Sequence, residues 1–182
     1  MTTDAHPQQT QLQVFALGGT IDKIYFDALS EYQVGKPQIA SIFQDAGLAL
    51  QIEIESICCK DSLDIIFADR QALLTAIVAC DTDNILVTHG TDTMTATAQY
   101  IQNEIQAHPD NMALAQKRIV FVGAMHPACF KQSDAPFNVG FALGVLRVVP
   151  AGVYIAMNGQ VLNPQLAKKN RAAGQFESGA GS

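Results

Sequence analysis

The sequence contains little charge and no long apolar run. Charged residues make up only 15% of its 182 residues, against about 25% in typical globular domains. Hydrophobic residues make up 48%, so we do not expect disorder. The sparse charge leaves few polar side chains to cover a monomer, which favours burial of some surface against a second subunit. No apolar run reaches the roughly 18 residues that a membrane span needs, so we expect no membrane partner.

Positive charge is also scarce. Eleven Lys and Arg residues stand against seventeen Asp and Glu residues, which gives a formal net charge of −6. Counterion release is therefore not expected to drive binding to nucleic acid, and an anionic membrane would repel the protein. The densest basic stretch is Lys168, Lys169 and Arg171. Taken alone, such a stretch is typical of a solvated face.

The sequence lacks the motifs of metal sites, of nucleotide sites and of signal peptides. The four histidines have no H-x-x-x-H spacing and no two cysteines form a C-x-x-C pair, so we expect no metal and no cofactor. G-x-G-x-x-G and G-K-S/T are absent, which argues against dinucleotide and phosphate-loop sites. Residues 1–11 lack the layout of a signal peptide. We therefore expect a cytoplasmic protein with reduced, mostly buried thiols, namely Cys58, Cys59, Cys80 and Cys129.

Short apolar runs alternate with helical patterns along most of the chain. Apolar runs predict strands at 12–17, 50–54, 85–87, 119–122 and 153–157. Periodic patterns predict helices at 37–46, 69–80, 92–106 and 136–148. The alternation predicts an α/β fold with a Rossmann-like, doubly wound, mostly parallel sheet and helices on both faces. Residues 20–35 are expected to form a long loop, of the kind that often serves as a lid.

The chain is expected to form a single domain, because no repeat or change in composition marks a second one. We assign residues 12–175 to this domain and residues 1–11 to a polar N-terminal extension. Residues 176–182 are expected to form a flexible tail, since most of the final residues are small.

Polar residues follow successive strands, at the sheet edge where ligands bind in open α/β folds. In strand order they are Thr20, then Asp61 and Ser62, then Thr91 and Asp92, then Ala124 with its neighbouring glycine, then Lys168 and Lys169. A hydroxyl, a lysine that takes its proton and a carboxylate that holds the lysine are the parts of hydroxyl-based nucleophilic catalysis. Each residue also has a plain structural alternative, such as helix capping or a surface position.

Four segments resemble motifs of the bacterial type I/type II L-asparaginase family. They are 17–21 (LGGTI), 88–94 (THGTDTM), 122–127 (VGAMHP) together with 133–138 (SDAPFN), and 30–36 (SEYQVGK). The seven-residue match at 88–94 is strongly specific, and the resemblance covers roughly residues 12–171. On this resemblance the chain is expected to be a short, single-domain form without the family's C-terminal domain.

The resemblance implies hydrolysis of a side-chain amide in two steps. Thr20 would be the nucleophile, and Tyr32, carried by a mobile lid segment, would help to activate it. Thr91, Asp92 and Lys169 would form a second cluster, in which Lys169 accepts a proton and Asp92 orients the lysine. Ammonia would leave first, and water would then cleave the acyl-threonine ester.

The same resemblance implies a set of substrate-binding residues. They are Asp61, Ser62, Gly90, Thr91, Asp92 and Ala124. In the family the residue that matches Asp92 binds the α-amino group of the substrate. The backbone N–H groups of Thr91 and Ala124 would form an oxyanion hole, which is worth several kcal/mol at a transition state.

The chain also departs from the family pattern. Leu63 stands where a polar residue often occurs, His126 replaces an arginine and Ala135 replaces a glycine. Because these changes weaken substrate recognition, we expect a high KM. Counting forward from residues 157–158 without a gap places the family's catalytic lysine at Lys169, which we favour. A one-residue gap would place it at Lys168 instead.

The leading hypothesis is an L-asparagine amidohydrolase that assembles as a homodimer or homotetramer. An asparaginase-glutaminase of broader specificity, or another small-amide hydrolase, is the alternative within the enzyme class. From a different class, an amino-acid-binding module would be stabilised by aspartate or asparagine without releasing ammonia. A nucleotide-binding domain rests on the parallel sheet alone, and a fold does not specify a function.

Overall fold

A computed structural model describes residues 11–27 and 30–179. Its strands are β1 (Gln11–Gly18), β2 (Lys23–Phe26), β3 (Glu31–Val34), β4 (Gln51–Lys60), β5 (Asn84–Thr88), β6 (Arg118–Val122), β7 (Gly152–Met157), β8 (Gln160–Leu162), β9 (Ala167–Asn170) and β10 (Gln175–Ser178). Its α-helices are α1 (Ile39–Asp45), α2 (Phe67–Ala79), α3 (Met94–Ala107), α4 (Met112–Ala115) and α5 (Ala135–Val148). Short 3-10 helices at Thr20–Asp22 and Ser62–Asp64 follow β1 and β4.

Six strands form the central sheet, in the order β4-β1-β5-β6-β7-β8. The first five are parallel, and β8 runs antiparallel to β7. A turn at Asn158 and Gly159 joins β7 to β8, and their φ angles of 53° and 73° suit an Asn-Gly pair. The central strands β1, β5 and β6 are almost entirely buried, which explains why their sequences are mostly apolar. The predicted mostly parallel α/β fold is confirmed.

The helices form two groups around this sheet. α1 packs against α5, whereas α2 packs against α3 and α4, and β7 contacts both α3 and α5. The chain moves in one direction across the sheet from β5 to β6 through α3, and again from β6 to β7 through α5. Because α3 and α5 lie on opposite faces, these two connections have opposite hands, and one of them is the rare left-handed kind.

The edge strand β4 is longer than the sequence predicts. The alternating pattern predicted a strand at 50–54, but pairing with β1 continues to Lys60. Much of β4 is exposed, and its apolar residues are diluted by Glu53, Glu55 and Ser56. An edge strand needs fewer apolar residues than a central one, so its second half carries a weak sequence signal.

Residues 20–35 are not one irregular loop, contrary to the prediction. After the 3-10 turn at Thr20–Asp22, β2 and β3 form an antiparallel hairpin in which Tyr25 pairs with Tyr32. The Gly35 N–H donates to the Asp22 carbonyl at 2.8 Å and closes the base of the hairpin. Cross-strand aromatic pairs of this kind stabilise hairpins. Residues 28–29, between the two strands, lie outside the described residues.

The tail does not begin at residue 176, as the sequence suggested. Gln175–Ser178 form β10, which pairs antiparallel with β9 and places Phe176 opposite Lys169. Phe176 is completely buried, and this single apolar side chain anchors the strand. The sequence signal was weak because the flanking residues are polar or small. Residues 180–182 and residues 1–10 lie outside the described part, and Gln11, assigned to the extension, begins β1.

Two smaller predictions also differ from the structure. All four cysteines are free, but Cys59 and Cys129 are exposed, so the expectation of mostly buried thiols was wrong. α1 begins at Ile39 instead of 37, and α3 begins at Met94 instead of 92.

Within the described ranges, no helix combines the length and the apolar character needed to cross a bilayer.

Candidate active site

Three strand-end loops meet at Gly90. A side-chain carbon on Gly19 would overlap the Gly90 backbone, and one on Gly90 would overlap the Ser62 side chain. Gly19 also has a φ of 88°, a conformation that favours glycine. The glycines therefore let the loops that carry Thr20, Ser62 and Thr91 approach one another more closely than side chains would allow.

Ser62 joins its loop to the one after β5. Its hydroxyl accepts a hydrogen bond from the Asp92 N–H at 3.3 Å, and its carbonyl accepts one from the Thr93 hydroxyl at 2.6 Å. The Ser62 side chain is buried. This predicted substrate-binding residue therefore lies beside the 88–94 segment and fixes the backbone of Asp92.

Asp61 is held by internal contacts. Its carboxylate forms an ion pair with the Lys23 ammonium at 2.8 Å and accepts the Leu63 N–H at 3.3 Å. The hydrogen bond from Lys23 is the main cause that lowers the pKa of Asp61, and burial opposes it. Asp61 therefore connects the β4 loop to the hairpin, a structural role that its sequence position did not reveal.

Lys169 lies at the centre of a polar cluster. Its ammonium contacts the Thr91 hydroxyl at 2.7 Å and the Asp92 carboxylate at 3.0 Å. Of the two candidate lysines, Lys169 is the one that reaches Thr91, whereas the Lys168 side chain lies beside Gly179. The structure thus brings together Thr91, Asp92 and Lys169 from loops that are far apart in sequence, while their chemical roles stay predictions.

Arg171 is a member of this cluster that the sequence did not single out. Its guanidinium contacts the Asp92 carboxylate at 2.8 Å, on the same oxygen that Lys169 contacts. The sequence pattern had favoured a solvated surface for this basic stretch. Its position two residues after Lys169 is the available signal, because side chains two apart in an extended segment project to the same side.

Thr20 lies just before the β2–β3 hairpin, and Tyr32 lies in its second strand. Thr20 is half-buried and opens the 3-10 turn directly after β1, and within the described ranges its hydroxyl has no hydrogen-bond partner. Tyr32 is 50% exposed and makes edge-on contacts with Tyr25 and Phe130, with ring centroids 5.4 and 5.5 Å apart. Among the described residues, no hydrogen bond joins the Tyr32 hydroxyl to Thr20, so this predicted pair is not in direct polar contact.

Asp22 fixes the base of the hairpin, two residues beyond Thr20. Its side chain is only 1% exposed, and one carboxylate oxygen accepts the Gln38 N–H at 2.8 Å. The other oxygen is buried without a partner in the described part of the chain. Burial raises the pKa of Asp22 to about 6, and the Gln38 N–H lowers it in part. The sequence does not reveal this residue, because nothing in its local pattern distinguishes a buried aspartate from a surface one.

The loop after β6 is held rigidly around Ala124. The Asp134 carboxylate accepts the N–H groups of Met125 and His126 at 2.9–3.0 Å. The Asn138 amide donates to the Gly123 carbonyl at 3.1 Å. Ala124 itself is buried, and in the described part of the chain its N–H donates to no acceptor. A free donor on a fixed loop is what an oxyanion hole requires.

Thr91 provides the second predicted donor of that hole. Its side chain is buried and engaged by Lys169. Its backbone N–H, like that of Ala124, has no acceptor among the residues that the structure describes. Both N–H groups predicted for the oxyanion hole are therefore available to a ligand.

His89 supports the β5 loop from the interior. Its Nδ1–H donates to the Gly90 carbonyl at 2.8 Å, since a carbonyl can only accept. Nε2 therefore accepts the Thr97 hydroxyl at 2.9 Å, and that hydroxyl in turn accepts the Arg70 Nε–H at 3.2 Å. Complete burial lowers the pKa of His89 to about 4, so the ring is neutral near pH 7 and holds Gly90 in place.

The chain is similar in sequence to known asparaginases. The family model described as "Asparaginase, N-terminal" matches residues 11–178. The chain is 38% identical over 84 residues to the probable periplasmic L-asparaginase of Haemophilus influenzae, covering 44% of the chain and 22% of that protein. It is 28% identical over 163 residues to L-asparaginase 2 of Escherichia coli, covering 84% of the chain and 44% of that protein.

A solved structure gives a similar result. The thermostable L-asparaginase from Thermococcus kodakarensis superposes with a TM-score of 0.77 at 26% sequence identity, covering 92% of this chain and 51% of that one. The chain spans less than half the length of the two curated relatives above. The similarity therefore concerns the N-terminal part of these proteins.

Proposed function

The chain belongs to the asparaginase family, and from that membership we propose that it hydrolyses the side-chain amide of L-asparagine to L-aspartate and ammonia. One observation carries the proposal: Lys169 lies 2.7 Å from the Thr91 hydroxyl and 3.0 Å from the Asp92 carboxylate, at the loop junction that also carries Thr20. A lysine that contacts a hydroxyl and a carboxylate can transfer a proton while it stays oriented.

In the first proposed step, the Thr20 hydroxyl attacks the amide carbon. The Thr20 Oγ–C bond forms, the C–N bond breaks, and the hydroxyl proton is passed to the departing nitrogen, which leaves as ammonia. Tyr32 helps to activate Thr20 once the hairpin has moved from its contact with Phe130. A threonine hydroxyl needs such assistance because it is a poor nucleophile at neutral pH.

In the second proposed step, water cleaves the ester that Thr20 has formed. Lys169, as the neutral amine, accepts the proton of the attacking water through the Thr91 hydroxyl. The ester C–O bond then breaks and the proton passes to the departing Thr20 oxygen, which regenerates the hydroxyl. The 3.0 Å contact with the Asp92 carboxylate orients Lys169. The sum of the two steps is amide plus water giving carboxylate plus ammonium, because the ammonia takes up the proton that the new acid releases.

The two free backbone donors support both steps. The N–H groups of Thr91 and Ala124 stabilise the negative oxygen of each tetrahedral intermediate. One such donor is worth about 3 kcal/mol in other hydrolases. Because Asp134 and Asn138 hold the Ala124 loop, its donor needs little rearrangement when charge develops.

The test is ammonia release from L-asparagine by wild-type protein, Thr20→Ala and Thr91→Val. We expect each variant to lose about a thousandfold or more in kcat, because each removes a reacting or proton-transferring group. Thr75→Ala is the matched control, since Thr75 is an exposed threonine on α2, and it should keep wild-type activity. Unchanged rates in Thr20→Ala and Thr91→Val would refute the assigned roles. Glutamine assayed alongside asparagine separates a strict asparaginase from an asparaginase-glutaminase.

We also propose self-association and a cytoplasmic location. Large apolar side chains are exposed, among them Leu63, Phe137 and Val148 at 68%, 63% and 80%, and the sequence carries little charge. Both features favour a homodimer or homotetramer. Sedimentation that detects only monomer would contradict the assembly.

The cytoplasmic location rests on the free cysteines at 58, 59, 80 and 129, which support a reducing compartment. Cell fractionation tests this location.

A further inference from the structure

Three hydrogen bonds form a relay from Arg70, on α2, to Gly90, in the loop after β5. The Arg70 Nε–H donates to the Thr97 hydroxyl at 3.2 Å, and the Thr97 hydroxyl donates to His89 Nε2 at 2.9 Å. His89 Nδ1–H then donates to the Gly90 carbonyl at 2.8 Å. Thr97 and His89 are completely buried, whereas Arg70 is half-buried. The relay therefore starts at a cation near the surface and ends at the backbone of the loop that carries Thr91.

Each bond of this relay can run in one direction only. A guanidinium has only donors and a carbonyl has only acceptors, so chemistry fixes both ends. Between them, the Thr97 hydroxyl accepts from Arg70 and gives its own proton to His89. Burial, and in smaller part the charge of Arg70, lower the pKa of His89 to about 4, while the hydrogen bond to Gly90 opposes them. The ring therefore stays neutral near pH 7, and Nε2 keeps the lone pair that the relay needs.

The last acceptor of the relay belongs to the peptide unit that ends in the Thr91 N–H. This peptide bond is trans, since the described residues contain no cis peptide bond, so its oxygen and its N–H point in opposite directions. A hydrogen bond that holds the Gly90 oxygen therefore also holds the direction of the Thr91 N–H. It polarises the same planar unit as well, and hydrogen bonds in series strengthen one another by about 10–30% per bond.

The Thr91 N–H is one of the two donors proposed for the oxyanion hole. We propose that Arg70 is a positioning residue for this hole, which acts through Thr97 and His89 on the Thr91 N–H. The inference rests on the proposed amide hydrolysis. In the part of the chain that the structure describes, the Arg70 side chain hydrogen-bonds to Thr97 alone, so its hydrogen-bonded route to the loop passes through that hydroxyl.

The effect of the relay should appear in kcat. Negative charge develops on the substrate oxygen only as the tetrahedral intermediates form, so a stronger donor favours the transition state over the bound substrate. Loss of a whole oxyanion-hole donor lowers kcat about 10²–10³-fold. Weakening that donor by about 10–30% then corresponds to a fall in kcat of about two- to eightfold.

The experiment measures kcat and KM for L-asparagine in wild-type protein, Arg70→Met, Thr97→Val and the double variant. We expect Arg70→Met to lower kcat about two- to eightfold at an unchanged KM. Arg70→Lys should recover part of this loss, because an ammonium can still donate to the Thr97 hydroxyl. In the Thr97→Val background, Arg70→Met should have no further effect, since the route to His89 is already interrupted.

Arg147→Met is the matched control for the loss of an arginine. Arg147 is exposed in the last turn of α5, which leads into β7 at the opposite edge of the sheet, and this variant should keep the wild-type kcat. Two results would overturn the inference. One is a fall in kcat on Arg70→Met that is as large in the Thr97→Val background as in wild-type protein, because Arg70 would then act without the relay. The other is a kcat that Arg70→Met leaves unchanged.

NMR spectroscopy tests the relay without turnover. In ¹⁵N spectra of wild-type protein, His89 should carry its proton on Nδ1. The Thr91 amide proton should move upfield in Arg70→Met but not in Arg147→Met, because its N–H is less polarised without the relay. The same spectra decide the question if Thr97→Val does not fold.

Failure of the proposed function has a separate signature. If wild-type protein releases no ammonia from asparagine, hydrolysis is refuted, while the upfield shift of the Thr91 amide proton in Arg70→Met still supports the relay. A Thr91 resonance that Arg70→Met leaves in place, or a His89 ring protonated on Nε2, overturns the relay whether or not the protein hydrolyses asparagine.

Discussion

Replacing Asp22 by asparagine is expected to stabilise the protein at pH 7 but not at pH 4. Burial raises the pKa of this carboxyl from its ordinary value of 3.8 to about 6. The folded protein therefore holds the proton more tightly than the unfolded chain does between these two values. It follows that the contribution of Asp22 to the free energy of unfolding falls as the pH rises from 3.8 to about 6, by about 3 kcal/mol.

Asparagine imitates the protonated acid closely. Its carbonyl oxygen can still accept the Gln38 N–H, and its amide nitrogen takes the place of the second carboxylate oxygen, which has no partner among the described residues. A protonated aspartate also puts a donor at that place. The variant and the wild-type protein should therefore be equally stable at pH 4, and the variant should be more stable by about 3 kcal/mol at pH 7.

Urea unfolding between pH 4 and pH 8 measures this difference. Other carboxyls, such as Asp61 and Asp69 with their lowered pKa values, titrate in both proteins and cancel in the comparison. Asp45→Asn, which changes an exposed carboxyl on α1, is the matched control. A difference between wild-type protein and Asp22→Asn that stays constant from pH 4 to pH 7 would refute the reasoning.

Two further predictions concern packing. Gly90→Ala forces a methyl group against Ser62 and should lower the free energy of unfolding by about 1–3 kcal/mol and abolish most activity. Gly140→Ala, in α5 where nothing surrounds the added carbon, should instead stabilise the protein by up to ~1 kcal/mol. Phe176→Ala should lower the free energy of unfolding by about 3–5 kcal/mol because the ring is fully buried. Phe137→Ala removes an exposed ring and should lower the free energy of unfolding much less. Equal losses of stability for the two variants in thermal denaturation would show that Phe176 does not anchor β10.

The central sheet could be predicted because its strands are unambiguous. β5 and β6 are buried along nearly their whole length, so each is a short apolar run with no competing helical pattern. Polar residues at the strand ends then had to converge, since parallel strands share one carboxyl edge. The meeting of Thr91, Asp92 and Lys169 followed from this topology together with the family resemblance.

The elements that escaped prediction depend on contacts distant in sequence. The hairpin β2–β3 exposes both Tyr25 and Tyr32, so no buried stripe distinguishes it from a loop. β9 contains Lys168 and Lys169, which resemble a solvated surface until Thr91 and Asp92 approach from another loop. Asp22 is unremarkable in sequence because its burial results from packing by residues beyond its neighbours.

The close approach of Gly19, Gly90 and Ser62 has a consequence for how such a site can evolve or be transplanted. The three positions belong to separate loops, yet each limits the size of its neighbour. A mutation that enlarges one of them can be tolerated only if another loop withdraws, and that movement would displace Thr20 or Thr91. The three loops therefore change as a unit. Grafting this site onto another scaffold requires the backbones of all three loops in the same relative positions, and transferring the catalytic side chains alone would not suffice.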